Sequence, residues 1–139
     1  MDEGFRTFDH TGDLGLEVWA ATPERLYGLA AEALLAQVVE TQGGEADETV
    51  RVSLAGEDPA DLLVHWLNTA LLEAELRRAV WTRAAVHRLS SVGLEATLTG
   101  PRRDPAGQTF LREVKAVSHH GLTLDLAGRP CRCRLVLDI

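Results

Sequence analysis

Lysine is almost missing from this sequence. Thirteen of its fourteen basic residues are arginine, and Lys115 is the single lysine. Acidic residues outnumber basic ones, 21 to 14, for a formal charge of −7. The basic residues are scattered as Arg77-Arg78, Arg102-Arg103, and Arg129, Arg132 and Arg134. Free RNA binding draws on Lys and Arg to neutralise phosphates, so this balance speaks against nucleic acid as the primary ligand. Cysteine is scarce too. Cys131 and Cys133 lie two apart and point to one face of a strand, near the upper limit for an unstrained disulfide. Without a nearby His or further Cys they also make a poor zinc site. A reducing compartment, the cytoplasm, is the expected setting. No apolar run approaches the ~20 residues that span a bilayer. The opening Met1-Asp2-Glu3-Gly4-Phe5 lacks the basic-then-apolar pattern of a secretory leader. There is no repeat, low-complexity segment, His-Glu-x-x-His, Gly-rich phosphate loop or Gly-x-Ser-x-Gly elbow. No catalytic or nucleotide-binding residue is therefore expected.

What is present fits one soluble domain of 139 residues, 45% hydrophobic and 25% charged. Phe5 to Asp9 reads as a strand, His10-Thr11-Gly12-Asp13 as a turn, and Leu14 to Ala20 as an alternating strand. Thr22-Pro23-Glu24 opens a helix: the hydroxyl caps, and proline stands where its missing N–H costs nothing. Gly43-Gly44 should end that segment. Val50, Val52 and Leu54 alternate in a further strand. Asp58-Pro59 starts a second helix reaching about Arg78. Strands follow over Ala84–Leu89, Gly93–Leu98, Glu113–His119, Leu122–Leu126 and Arg132–Asp138, with a polar loop from Gly100 to Gly107. The expected class is α+β: a single compact domain, 1–139, of two helices packed on sheet(s) of about seven strands, in the order β-β-α-β-α and then several β.

Asp13 sits in a tight turn at the mouth of a strand. Such an Asp can simply stabilise the turn. The other end of the sequence offers a second reading. Leu135-Val136-Leu137-Asp138-Ile139 is strand-like up to the last residue. If the first and last strands are neighbours, Asp13, Asp138 and the Ile139 carboxylate converge, and like charges at close range call for a cation or a proton. All-oxygen ligation suits calcium, magnesium or manganese rather than zinc. Among the histidines, His65 follows Asp61 by four residues, the spacing of an ordinary helical ion pair. His119 and His120 point to opposite faces of a strand, so at most one faces any given site. Trp19, Trp66 and Trp81 read as core or contact residues.

Several segments together resemble one family. Phe8-Asp9-His10-Thr11-Gly12-Asp13-Leu14-Gly15-Leu16 is similar to the opening signature of the archeases, with Gly12 where Ala is common. Asp61 to Leu72, including His65-Trp66-Leu67-Asn68, resembles their second helix. Lys115-Ala116-Val117-Ser118-His119-His120 resembles a late motif, Ser118 replacing the usual Thr. Val136-Leu137-Asp138-Ile139 resembles their Asp-aliphatic terminus. Ala79 to Thr109 carries little of the likeness. The resemblance implies a divalent metal held by Asp13, Asp138 and Ile139, with calcium the expected ion and magnesium or manganese compatible. It implies supporting or partner-contacting places for His10, Lys115 and His120. It also implies a non-enzymatic activator of the GTP-dependent tRNA-splicing RNA ligase, promoting ligase guanylylation and multiple turnover. RNA would then be reached only through the ligase, and no membrane is expected. The rival expectation is a small divalent-metal-dependent hydrolase using the Asp13 cluster, with His10 as acid or base.

Overall fold

The computed structural model describes residues 2–42 and 45–139, so the expected stop at Gly43-Gly44 lies outside the described residues. The elements run β1 (Gly4–His10), β2 (Asp13–Ala20), α1 (Pro23–Val38), β3 (Val39–Thr41), β4 (Glu48–Ala55), α2 (Pro59–Arg77), β5 (Arg83–Leu89), β6 (Gly93–Gly100), β7 (Gln108–Phe110), β8 (Ala116–Asp125) and β9 (Cys131–Asp138). Both helices start at the cap-proline pairs. Thr22 Oγ1 accepts from the Arg25 N–H at 3.2 Å, and Asp58 Oδ1 from the Asp61 N–H at 2.8 Å. Each cap satisfies a donor that the helix itself leaves open. α2 stops where Arg78 turns left-handed, φ 51°, and donates its N–H back to the Ala74 and Glu75 carbonyls.

The class is α+β, with nine strands among the described residues rather than about seven. β3 and β7 account for the excess. α1 ends at Val38 because Val39 leaves it in an extended conformation and pairs with Phe110, a geometry that suits two consecutive β-branched residues. The two expected strands Glu113–His119 and Leu122–Leu126 are one strand, β8. Its register against β9 shifts between Ser118 and Thr123, and Gly121 takes φ 72° there.

The strands form a four-stranded sheet, β1-β2-β9-β8, a three-stranded sheet, β4-β6-β5, and the β3-β7 pair. α1 packs on β2 and β5, and α2 on β8 and β4. The helices thus lie between the two larger sheets, and each of those sheets keeps an outer face. The core gathers Trp66, Trp81, Tyr27 and leucines from both sheets and both helices. Its polar atoms are satisfied: Trp66 Nε1 donates to the Tyr27 carbonyl at 2.8 Å, Trp81 Nε1 to the Ala70 carbonyl at 3.2 Å, and Tyr27 Oη to the Pro59 carbonyl at 2.6 Å. Cys131 and Cys133 are buried free thiols on one face of β9, and burial pushes the Cys133 thiol up to about 12.

One ionic link ties α1 to the three-stranded sheet. Glu32 Oε2 accepts from the Ala84 N–H at 2.9 Å and from Arg25 Nη1 at 3.0 Å, while Arg25 also holds Glu3 at 2.9 Å. Glu32→Ala should cost about 1–3 kcal/mol by stranding the Ala84 donor. Glu32→Gln, which keeps an acceptor, should cost less. Urea midpoints at constant slope measure both; equal loss in the two variants would refute the assignment to Ala84.

Candidate functional site

β1 and β2 are joined by the two-residue turn Thr11-Gly12, whose second residue has φ 75°, a conformation in which a side chain is strained. The turn delivers Asp13 to the start of β2. β2 pairs with β9, placing Leu14 opposite Leu137 and Gly15 opposite Val136. One step along that register sets Asp13 opposite Asp138, the last residue of β9. Residues directly opposed across strands share a face, here the outer one. The premise that the first and last strands are neighbours needs correcting. β1 is the edge strand, and it is the second strand, β2, that lies against β9. Asp138 is held from its other side as well: it pairs with Ala116 of β8, and its carbonyl accepts the Lys115 N–H at 2.7 Å. Ile139 follows it, half exposed.

His10 flanks Asp13, and His120 flanks His10 in turn. His10, paired with Asp13 across the turn, places Nδ1 3.6 Å from Asp13 Oδ2, beyond hydrogen-bond length. That Nδ1 atom is buried and has no hydrogen-bond partner. The His120 ring meets the His10 ring edge-on, with centroids 6.2 Å apart at 77°. The structure therefore sets His10 beside Asp13 and His120 beside His10, and the register carries Asp138 to the level of Asp13. It links Lys115 to this rim by main chain, with its side chain exposed.

His119 turns the other way, as strand alternation requires. Its Nε2 lies 3.0 Å from Asp61 Oδ1, while Asp61 Oδ2 accepts the Glu57 N–H at 2.9 Å. The Glu57 N–H first, and the His119 ring second, hold the Asp61 carboxyl below its ordinary value. The expected His65–Asp61 pair is replaced by these contacts. His65 Nδ1 instead lies 2.9 Å from the Ala55 carbonyl at the end of β4. A fixed backbone acceptor captures the imidazole, and a residue 58 positions away in sequence takes the carboxylate.

The donor chemistry at the rim is hard oxygen with imidazole beside it, which suits an alkaline-earth ion better than a thiophilic one. Among the described residues, no group of three or more His, Cys, Asp and Glu is arranged to hold a metal. A cation between Asp13 and Asp138 would thus take its remaining oxygens from the Ile139 carboxylate and water. Sequence reasoning missed the other occupants of this outer face, Arg6, Phe8, Glu17 and Arg134, because only the pairing of β1, β2 and β9 brings them together.

Comparison with known proteins follows the same outline. The family model described as the Archease protein family (MTH1598/TM1083) matches residues 5–139. The chain is 30% identical to the protein archease of Methanopyrus kandleri over 134 residues, covering 94% of this chain and 96% of that one. It is 24% identical to the protein archease of Methanosarcina mazei, covering 97% and 95%. The solution structure of Methanobacterium thermoautotrophicum protein 1598 superposes with a TM-score of 0.76 at 26% identity, covering 98% of this chain and 99% of that one. With the turn, both helices and the β9 terminus all inside the matched span, the chain belongs to the archease family.

Proposed function

We propose that this chain is a metal-binding activator of the GTP-dependent tRNA-splicing RNA ligase, acting in the cytoplasm with no catalysis of its own. The carrying observation is the β2–β9 register, which pairs Leu14 with Leu137 and so brings Asp13 and Asp138 to the same end of adjacent strands, next to Ile139. Opposed like charges are unfavourable in a sheet unless something neutralises them. Asp13, Asp138 and the Ile139 carboxylate would hold the divalent ion, calcium first, with magnesium and manganese also suited. The bound ion supplies positive charge for organising phosphate oxygens. His10, through the exposed part of its ring, and His120 border the site and are available to contact a partner; Lys115 anchors the β9 end through its backbone. The ligase has to set a triphosphate and a metal around a nucleophilic His, and an inserted acidic rim completes such an arrangement electrostatically. No helix among the described residues is long and apolar enough to cross a membrane.

The test is a time course of covalent guanylylated ligase with GTP, with this chain added below one equivalent. Acceleration that exceeds stoichiometry is expected, since an activator turns over. Failure to accelerate at any ratio, or RNA cleavage by this chain alone, would overturn the reading and favour the hydrolase.

A further inference from the structure

The outer face of the β1-β2-β9-β8 sheet carries a second cluster that the Asp13 rim does not use. Two aromatic rings lie flat on it, each over a glycine of the neighbouring strand. A Cβ on Gly15 would fall 2.2 Å from the Phe8 ring, and one on Gly4 would fall 2.9 Å from the Trp19 ring. The Arg134 guanidinium stands 4.3 Å from the Phe8 centroid, and that of Arg132 lies 6.0 Å from Trp19. Arg6, Arg134 and Arg132 all reach Glu17, at 3.0, 3.4 and 4.0 Å. Exposure sorts these groups by depth. The Glu17 side chain is 13% exposed, against 69%, 53% and 51% for Arg6, Arg132 and Arg134. One carboxylate therefore lies beneath three guanidiniums and holds them in place, and solvent meets the guanidiniums and the open parts of two half-buried rings.

We propose that this face binds a single-stranded polynucleotide, with bases stacking on Trp19 and on the Phe8–Arg134 pair and phosphates meeting Arg6 and Arg132. The charge of −7 is a sum over the whole chain; here three guanidiniums against one carboxylate leave two positive charges. Asp125, opposite Arg132 in register, turns its carboxylate to the Ala127 and Gly128 N–H groups. An acidic protein segment would answer the charges alone. A polynucleotide answers both the charges and the flat planes, because every base offers a π-face at the spacing of a charged backbone. The proposal requires neither the ligase nor the metal, and its failure would leave the activator reading standing.

Fluorescence anisotropy with short labelled oligo(U) and oligo(dT), at low salt and in chelator, tests it on this chain alone. Two phosphate contacts, at Arg6 and Arg132, predict a log–log salt slope of about −1.4. Arg132→Gln/Arg134→Gln should weaken binding about tenfold or more and bring the slope to about −0.7. Binding should also quench tryptophan emission, and Trp19→Phe should abolish the quenching, since Trp66 and Trp81 are buried. Arg51→Gln/Arg88→Gln, on the other sheet, should change nothing. Tighter binding of oligo(U) names RNA as the ligand, while equal binding shows that backbone and stacking suffice; both support the proposal. It is overturned if neither oligonucleotide binds, or if the Arg51/Arg88 variant weakens binding equally. It also fails if the Arg132/Arg134 variant loses ligase activation with oligonucleotide affinity intact, which would make this face a protein contact.

Discussion

Asp13→Asn should abolish calcium-dependent stabilisation and lower stimulation of ligase guanylylation by about 100-fold or more, with the fold intact. The two effects share one cause. Continuing the Leu14–Leu137 register by one step brings Asp13 level with Asp138 on adjacent strands, and in the proposed reading a cation between them offsets their repulsion. Loss of an outer partner of a metal ligand already costs roughly 10–100-fold in affinity, and loss of a ligand costs more. A ligand bound only by the folded state stabilises by about 2.7 kcal/mol at 100 times its dissociation constant. Wild type should gain that much on saturation with calcium, and Asp13→Asn almost nothing. Without metal the order should invert. Asn removes a repulsion across the strand pair, so the apo variant should be as stable as wild type or more so by a few tenths of a kcal/mol. Asp138→Asn should behave alike, and residues appended after Ile139 should remove the calcium gain without relieving the repulsion. Equal calcium stabilisation in wild type and both Asn variants would sink the site.

That the rim residues can be named from sequence while their geometry cannot has a physical reason. Asp13 is marked locally, by a tight turn leading into an alternating strand. Its partner is 125 positions away, and the register that opposes them is set by β9 returning beside β2 rather than β1. Local chemistry fixes the helix starts equally well, because a cap and a proline act within one turn. It fails where a long-range group outbids a neighbour: the i, i+4 spacing of Asp61 and His65 says nothing of His119 or of the Ala55 carbonyl. Gly121 reads as a joint between strands, yet a single positive φ bends β8 without ending it. β3 and β7 have three residues each, too few to show any period. The arginine layer over Glu17 is hidden for the same reason as the rim. Arg6, Glu17 and Arg134 are unremarkable singly and form one row only when three strands are in register.

Gly100→Ala should destabilise the protein more than any surface substitution, by about 3 kcal/mol or more. Replacing Gly by Ala at a permissive site stabilises by about 0.4–1 kcal/mol, because the unfolded chain loses freedom. Gly100 reverses the sign for a steric reason. Its Cβ would fall 1.8 Å from the Val80 carbonyl oxygen, 2.8 Å from the Val80 carbonyl carbon and 3.0 Å from the Thr82 nitrogen. All three are backbone atoms, so no rotamer change relieves the clash. Nor can the segment retreat. The Val80 N–H donates to the Pro101 carbonyl at 2.9 Å, the Thr82 N–H donates to the Thr99 carbonyl at 3.0 Å, and between them Trp81 is buried with Nε1 on the Ala70 carbonyl. Making room means breaking the end of β6 from this strap or lifting Trp81 from the core, either of which consumes a large part of a typical margin of about 5–15 kcal/mol. Gly107→Ala is the matched control, since a Cβ there meets nothing within 4 Å and should leave stability unchanged or slightly higher. Urea unfolding followed by the emission of the buried tryptophans reads both variants. Coincident midpoints would show that β6 does not approach the Val80–Thr82 strap this closely in solution.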